Sequence, residues 1–295
     1  MHGCRLVAQS GWSVIFFLTC LAGCERTHPA LGGPEEPAPA ARIGSAAPVA
    51  GPVDPRLQKA FAEATRQEPP ADWQRPPDMT VTGKSVGKLY TQVTGVWETI
   101  RFVSAAGKPL AYRATLDTEI GPIVIDLRPD LAPNHVRNFV ALALVHYYDG
   151  LVFERTVHGR SEEEPFTEIE IIEGGCPLGT GDQGLGSLGY WLKAEFSKEP
   201  FEPGTLAACH GEDPDSAACR FFLTLNKAPF LDGQFTVFGK VSSGLDVARR
   251  IFTLPVRNDP EYPEGDRPEK AVIIRSITIE TSEGGRVWQP LVSPE

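Results

Sequence analysis

Alternating apolar and polar positions predict that most of this chain is built from β-strands. Residues 110–116 and 123–127 alternate in this way on either side of a turn at residues 117–121, and residues 272–279 repeat the alternation. Within residues 147–240, short runs of β-branched and aromatic residues are separated by clusters of Gly, Pro and Asp. Such runs are typical of half-buried strands and such clusters of turns. The pattern therefore predicts a compact all-β domain.

Two helical patterns interrupt the predicted strands. The first begins at Pro133, which suits the first turn of a helix because proline has no backbone N–H to satisfy there. Its expected core face consists of Val136, Phe139, Val140, Ala143 and Leu144. The second covers residues 244–252, and its expected core face consists of Leu245, Val247, Ala248 and Ile251. An acidic, proline-rich loop at residues 258–268 separates it from the last strand.

An extension precedes the β-rich domain, and its apolar spacing is helical in two places. Residues 56–67 place Leu57, Ala60, Phe61 and Ala64 on one face of a short helix. Residues 84–100 repeat apolar residues at helical spacing, namely Leu89, Val93, Val96, Trp97 and Ile100. The second helix either docks on the β-rich domain, which we favour, or provides a surface for a peptide or partner.

The N-terminal residues resemble a bacterial lipoprotein signal. Arg5 precedes an apolar run at residues 14–21 that is too short to span a membrane. The run ends in Leu21-Ala22-Gly23-Cys24, which is similar to the lipobox whose cysteine is lipidated. An ordinary secretory signal with an incidental Cys24 is the alternative. The Pro- and Ala-rich residues that follow bury too little apolar surface to order, so they predict a disordered tether.

These patterns divide the chain into five parts. They are a lipoprotein signal peptide (1–23), a disordered tether (24–55), a helical extension (56–109), the β-rich domain (110–283) and a C-terminal tail (284–295). The net charge of −10 and the pI of about 5.2 argue against a nucleic-acid partner, because no basic stripe offsets the acidity. Six cysteines without a CxxC pair indicate neither a disulfide scaffold nor a zinc ribbon.

Five short motifs occur in one order along the β-rich domain. They are Tyr147-Tyr148-Asp149-Gly150, Phe153-Glu154-Arg155, Gly174-Gly175, Phe221-Phe222 and Leu231-Asp232-Gly233 followed by Thr236-Val237-Phe238-Gly239. In this order they resemble the cyclophilins, the peptidyl-prolyl cis-trans isomerases, over residues 111–280. The resemblance implies a closed eight-stranded antiparallel barrel capped by two helices. It also implies proline-containing polypeptides as substrates and no cofactor or metal.

Arg155 is the candidate catalytic residue. Isomerisation of an X–Pro bond must overcome an amide rotation barrier of about 18–20 kcal/mol and needs no nucleophile or general base. It needs an apolar slot for the proline ring and a cation or donor for the twisted amide. Arg155 follows Phe153 in an otherwise apolar strand, and its guanidinium is always charged. In the cyclophilins the arginine of Phe-x-Arg is the catalytic one; a salt bridge at the barrel rim is the alternative role.

The resemblance also assigns residues that line the substrate groove. Phe222 matches the phenylalanine in the floor of the proline pocket, Leu231 matches a second wall, and Phe230 stands where many members have tryptophan. Ile171, Glu173, Arg220 and Cys209 are the further groove residues that it implies. Phe221 is expected to face the barrel core instead, because neighbouring residues of a strand point to opposite faces. A glycine-rich run at residues 179–189 resembles the loop beside the groove.

Several groove positions depart from the family pattern. Glu154 replaces a histidine, Glu170 an aromatic residue, Glu173 and Arg220 two glutamines, and Phe235 a histidine. Two neutral amides have thus become opposite charges. We interpret Glu173 and Arg220 as an ion pair that holds Arg155 as the neutral network would. The alternative is that the groove has become a site that only binds.

Cys209 and Cys219 bracket the loop that leads into the Phe221-Phe222 strand. Export would allow them to form a disulfide, and two free thiols are the alternative. With His210 they make a poor tetrahedral metal site. The sequence as a whole predicts a monomeric, lipid-anchored isomerase in the bacterial cell envelope, on its periplasmic or other extracytoplasmic side. A non-catalytic binder of proline peptides or an envelope scaffold is the alternative function.

Overall fold

A computed structural model describes residues 58–70, 75–160, 168–181, 186–257 and 267–292 of the chain. In these ranges the helices are α1 (Phe61–Ala64), α2 (Val86–Trp97), α3 (Pro133–Leu144) and α4 (Leu245–Phe252). The strands are β1 (Thr65–Arg66), β2 (Leu110–Thr118), β3 (Gly121–Leu127), β4 (Val152–Arg160), β5 (Glu168–Gly174), β6 (Trp191–Leu192), β7 (Thr205–Ala208), β8 (Phe221–Thr224), β9 (Val237–Ser243), β10 (Val256–Arg257), β11 (Arg267–Pro268), β12 (Val272–Glu283) and β13 (Gln289–Pro290).

Eight of these strands form a closed antiparallel barrel, as the sequence predicted. Their order is β12-β2-β3-β9-β7-β8-β5-β4, and β12 closes the ring by pairing with β4 through Val272 opposite Phe153. Closure pairs the exposed edge that an open sheet would leave. The short β13 adds to β12 outside the ring. In place of a plain tail, residues 289–290 thus extend the sheet.

Alternating burial along the strands matches the predicted period of two. In β2 and β3, Ala114, Leu116, Ile123 and Ile125 are fully buried in the barrel interior, while the residues between them are partly exposed. All three strands predicted from alternation alone are present. Each is longer than predicted, because pairing with a neighbouring strand extends past the last apolar residue.

Helices α3 and α4 cap the barrel where the sequence predicted two helices. Helix α3 begins at Pro133 as expected, but all of its residues are buried and not only the predicted core face. The N-terminal extension covers its outer side: Arg137 donates hydrogen bonds to the Lys59 and Ile100 carbonyl oxygens at 2.6 and 3.1 Å. Helix α4 is preceded by Gly244 at φ 84°, where a Cβ would lie 2.3 Å from the Pro122 carbonyl oxygen. Only glycine fits there.

The extension packs onto the barrel domain. Leu89, Val93, Val96 and Trp97 of α2 are buried and belong to the same hydrophobic cluster as the barrel interior. The docked helix that we favoured is therefore confirmed.

The helix predicted over residues 56–67 is mostly wrong. Only one turn is helical, and β1 follows and pairs with β6. Phe61 packs edge-on against Tyr90, Trp97 and Tyr190 at 5.1–5.9 Å. The helix start lacks a side-chain cap, whereas strand pairing satisfies the next backbone groups.

The predicted signal peptide, Cys24 and the tether lie outside the described residues, as does Leu57. Across the ranges that are described, no helix is both long and apolar enough to cross a membrane.

Candidate active site

A β-bulge in β4 brings two charged side chains to one place. Phe153 pairs with Gly174 of β5, yet Arg155 pairs with Glu173, so Glu154 is an extra residue without its own partner. A bulge kinks a strand and re-aims the side chains beside it. Neighbouring residues of a regular strand point to opposite faces of the sheet. Glu154 and Arg155 nevertheless belong to one ionic network, and they are 2% and 5% exposed.

Arg155 lies at the end of a row of cross-strand neighbours. Arg155 pairs with Glu173, Glu173 with Phe222, and Phe222 with Ala207. Residues directly opposite each other on neighbouring strands share a face of the sheet. This face is the one opposite to the barrel interior, because Phe221 and Ile172 belong to the interior cluster. The expected separation of Phe221 from Phe222 is confirmed.

The expected groove residues lie together on this outer face. Ile171, Cys209, Phe222 and Leu231 belong to a second hydrophobic cluster, and Phe230 packs against it. The sequence prediction thus grouped the correct residues in space. Glu170 is an exception: alternation along β5 places it on the face of Ile172, away from Ile171 and Glu173. Glu170 therefore lies away from the groove, although its place in the family pattern had led us to count it among the groove positions.

Aromatic side chains fill the space around Phe222. Phe201 stacks on it with ring centroids 6.0 Å apart, and Phe235 contacts it edge-on at 5.3 Å. Phe235 also stacks on His210 at 4.4 Å. Sequence analysis noted Phe235 only as a departure from the family pattern and missed Phe201. No motif marks Phe201, which follows Pro200 in a loop, so only the folded structure reveals its place.

The expected proline slot is closed in this conformation. Arg155 is 5% exposed, and Phe222 and Leu231 are each 1% exposed. Gly181 lies against Arg155 at φ 71°, where an added Cβ would be 2.6 Å from the Arg155 Cδ atom. A bound proline ring therefore requires side chains or backbone at this rim to move.

Four charged groups form a buried network beside the aromatic cluster. The Arg220 Nη2 atom donates to the Glu173 Oε2 atom at 2.7 Å, which confirms the predicted ion pair. The Arg155 Nη1 atom lies 3.6 Å from the same oxygen. The Arg220 Nε atom lies 3.5 Å from the Glu154 Oε1 atom, which accepts a hydrogen bond from the Cys176 N–H at 3.1 Å. Arg220 is therefore shared by two carboxylates, which the sequence did not predict.

Burial changes the ionisation of this network. Desolvation raises the pKa of Glu154 to about 7, although Arg220 acts in the opposite direction, and the negative charge of Glu173 adds to the rise. Burial alone would lower the pKa of Arg220, but the surrounding acidic groups raise it overall. The guanidinium of Arg220 thus stays charged while Glu154 titrates near neutral pH.

Cys209 and Cys219 are both buried free thiols, so the structure agrees with the second of the two alternatives and not with the disulfide. They face opposite sides of the sheet: Cys209 belongs to the outer cluster with Phe222, and Cys219 to the interior cluster. The Cys219 thiol donates to the Gly186 carbonyl oxygen at 2.9 Å. Side chains on opposite faces cannot meet the short Cβ separation that a disulfide requires.

His210 does not join these cysteines in a metal site. Its ring nitrogens lie 2.6 and 2.8 Å from the Gly211 and Gln234 carbonyl oxygens. Within the described ranges, no group of three His, Cys, Asp or Glu side chains is arranged to hold a metal ion.

The chain is similar to proteins of one family. Residues 113–279 match the family model described as cyclophilin type peptidyl-prolyl cis-trans isomerase/CLD. A probable peptidyl-prolyl cis-trans isomerase of Brucella suis is 39% identical over 134 residues, which are 44% of this chain and 66% of that protein, just under two thirds of its length. The peptidyl-prolyl cis-trans isomerase-like 3 protein of Gallus gallus is 35% identical over 166 residues, which are 56% of this chain and 94% of that protein. A crystal structure of a Cryptosporidium parvum cyclophilin type isomerase aligns with a TM-score of 0.47 and 24% identity, covering 57% of this chain and 97% of that one.

Proposed function

Because this chain belongs to the cyclophilin-type peptidyl-prolyl cis-trans isomerase family, we propose that its barrel isomerises X–Pro bonds of exported proteins at the cell envelope. One observation carries the proposal. Arg155, Glu173 and Phe222 stand in one cross-strand row on the outer face of the barrel. The row places a permanent positive charge beside an aromatic surface, which are the two elements that the reaction needs.

Each part of the row has a role in the proposed reaction. The Phe222 ring and Leu231 take up the proline ring, because burying its apolar surface is favourable. The Arg155 guanidinium then donates to the amide as resonance is lost in the twisted transition state. Donors that are positioned before the reaction cost little reorganisation, which is why such stabilisation is effective. Glu173, which stands between Arg155 and Phe222 in the row, holds Arg155 at 3.6 Å.

The closed slot means that substrate binding includes a local opening step. Arg155 packs under Gly181, which lies in the loop beside the groove. A long, flexible arginine side chain moves more easily than the close-packed ring of Phe222. The opening that we propose is therefore a displacement of Arg155 away from Gly181, after which the guanidinium reaches the bound amide.

The location of the protein is proposed on its sequence alone. The run ending in Leu21-Ala22-Gly23-Cys24 supports export, followed by a lipid anchor on Cys24. Several acyl chains on one cysteine would hold the protein firmly, since a single chain binds only marginally. The clients would then be proteins that fold after export.

A second candidate function is non-catalytic binding of proline peptides. The contact of Arg155 with Glu173 at 3.6 Å favours this alternative, because a guanidinium that is held by a carboxylate is less available to the twisted amide. The two functions share the same residues and differ only in whether a bound X–Pro bond rotates. A measurement of rotation therefore separates them.

The test is NMR exchange spectroscopy on short X–Pro peptides with catalytic amounts of the protein. The isomerase proposal expects faster cis-trans exchange, at least tenfold slower with Arg155→Ala, which removes ~1.4 kcal/mol or more of transition-state stabilisation. Arg286→Ala, at an exposed arginine, is the matched control and should leave the exchange rate unchanged. Peptide binding without faster exchange would favour the alternative function. If the protein neither binds the peptide nor speeds the exchange, both candidate functions are contradicted.

A further inference from the structure

The ionic network contains one acid that the proposed chemistry does not use. Glu154 is the bulged residue of β4, is 2% exposed, and contacts Arg220 at 3.5 Å. Its Oε2 atom and the Oε1 atom of Glu173 are both buried without a hydrogen-bond partner. A buried carboxylate oxygen without a partner is costly, and protonation removes most of that cost.

Glu154 and Glu173 compete for the same cation. Arg220 reaches Glu173 at 2.7 Å through Nη2 and Glu154 at 3.5 Å through Nε. When both acids are ionised, Arg220 is attracted to both of them. It then offsets less of the negative charge of Glu173, and Glu173 attracts Arg155 more strongly. When Glu154 is protonated, Arg220 neutralises Glu173 alone, and the attraction between Glu173 and Arg155 weakens.

We propose that Glu154 is a positioning residue of the isomerase site, because it divides Arg220 between two acids and thereby sets how firmly Glu173 holds Arg155. The inference rests on the proposed isomerase activity and goes beyond it. Glu154 acts only through Arg220 and Glu173 and does not contact the substrate. Protonated Glu154 weakens the hold of Glu173 on Arg155, and ionised Glu154 strengthens it.

The change of state falls near neutral pH. Burial, opposed by Arg220 and assisted by Glu173, raises the pKa of Glu154 to about 7. Among the described residues, the titratable and charged groups that surround Glu154 are Arg155, Arg220, Glu173, Tyr148, Cys176, Cys209 and Cys219. Burial raises the pKa of Tyr148 and of the Cys209 and Cys219 thiols, so none of the three loses its proton near pH 7.

The experiment compares the full chain with Glu154→Gln, which resembles the protonated acid and does not titrate. The exchange rate of an Ala-Pro peptide is measured by NMR from about pH 5.5 to about pH 8.5. In the parent protein we expect kcat to fall by roughly tenfold as the pH rises through this range, with little change in KM. Glu154→Gln should hold the rate of the acidic limit throughout. Glu63→Gln, at an exposed glutamate, is the control and should follow the parent protein.

A flat profile for the parent protein, or the parent profile in Glu154→Gln, would overturn the inference. A second measurement keeps it separate from the proposed function and needs no variant. The rate at which the Arg155 Nε–H proton exchanges with solvent is measured by NMR and divided by the hydroxide concentration, because hydroxide catalyses this exchange. This corrected rate should rise once the pH falls below about 7, because Glu173 then holds the side chain less firmly. If no isomerisation occurs at any pH, the proposed activity fails and the corrected rate alone decides the inference: a corrected rate that does not change with pH would refute it.

Discussion

The ion pair between Glu173 and Arg220 gives a direct test of how this site is held together. Its two side chains are 1% and 2% exposed and lie 2.7 Å apart. The structure supplies a matched pair at the surface: Arg75 and Asp78 lie 2.6 Å apart, but their side chains are 83% and 82% exposed. The surface pair has a similar contact distance without the burial or the neighbouring charges, so it shows what such a contact contributes in water.

The two single substitutions should have unequal effects. Glu173→Gln leaves Arg220 with Glu154 as a remaining acidic partner, so part of its charge stays compensated. Arg220→Gln leaves both Glu154 and Glu173 buried without this cation, and Arg155 lies 3.6 Å from Glu173. Removing one partner of a buried pair costs about 3–5 kcal/mol. We place Arg220→Gln at the upper end of that range and Glu173→Gln at or below the lower end.

The double variant should recover part of this loss. It leaves no ion pair to break at these two positions and restores two neutral amides that can hydrogen-bond. It does not recover the whole loss, because Glu154 then lacks Arg220 and must take up a proton. We expect a coupling energy of about 2 kcal/mol or more between Glu173 and Arg220, against about 0–1 kcal/mol for the exposed pair.

The assay is urea unfolding of the parent, the two single variants and the double variant, with the same cycle for Arg75→Gln and Asp78→Asn. Coupling is the difference between the double effect and the sum of the single effects in the free energy of unfolding. Effects of Glu173→Gln and Arg220→Gln that add to within about 0.5 kcal/mol would refute the view that the pair holds the site. So would a coupling energy no larger than that of the surface pair.

Three further predictions address neighbouring features of the chain. Gly181→Ala should slow isomerisation and lower the free energy of unfolding by roughly 1–3 kcal/mol. The added Cβ would overlap Arg155, and the φ of 71° at this position disfavours a side chain. Measurements of turnover and of unfolding on the same variant check this. Relative to Glu154→Gln, the parent protein should lose roughly 3 kcal/mol of its free energy of unfolding as the pH rises from about 4.5 through about 7. The reason is that the folded state raises the pKa of Glu154 and binds its proton more tightly than the unfolded state does. An equal pH dependence in both proteins would contradict this. Cys24→Ser should move the protein from the membrane fraction to the soluble fraction or stall its processing, and an unmodified native N-terminus in the soluble fraction would exclude the lipid anchor.

The barrel was predictable because its information is local. Alternation marks β2, β3 and β12, and Pro133 marks the beginning of α3. The groove residues were predictable because their order along the chain matches a known pattern, and alternation separates Phe222 from Phe221. The alternation and the helix start are carried by residues within a few positions of one another, whereas the motif order extends from Tyr147 to Gly239.

The errors concern contacts between distant segments. The bulge at Glu154 arises from the register of β4 against β5, which no residue of β4 alone determines. The full burial of α3 arises because Lys59 and Ile100 accept hydrogen bonds from Arg137 across long stretches of chain. The sequence left a disulfide and free thiols as open alternatives, because its spacing does not show that Cys209 and Cys219 face opposite sides of the sheet.

The departures from the family pattern make better physical sense together than one by one. Glu154, Glu173 and Arg220 are all changed, and with Arg155 they form a network of two acids and two bases whose charges sum to zero when all are ionised. A groove that was losing its function would have no reason to collect mutually compensating charges, since each one alone would be costly to bury. Protonation of Glu154 leaves a net charge of one, carried by Arg155 beside an internally neutralised Glu173–Arg220 pair. That state keeps the positive charge of Arg155 on the outer face, as an arginine among neutral amides would. On the proposed function, the charged network therefore keeps a cation for the twisted amide and adds the pH dependence that we propose for Glu154.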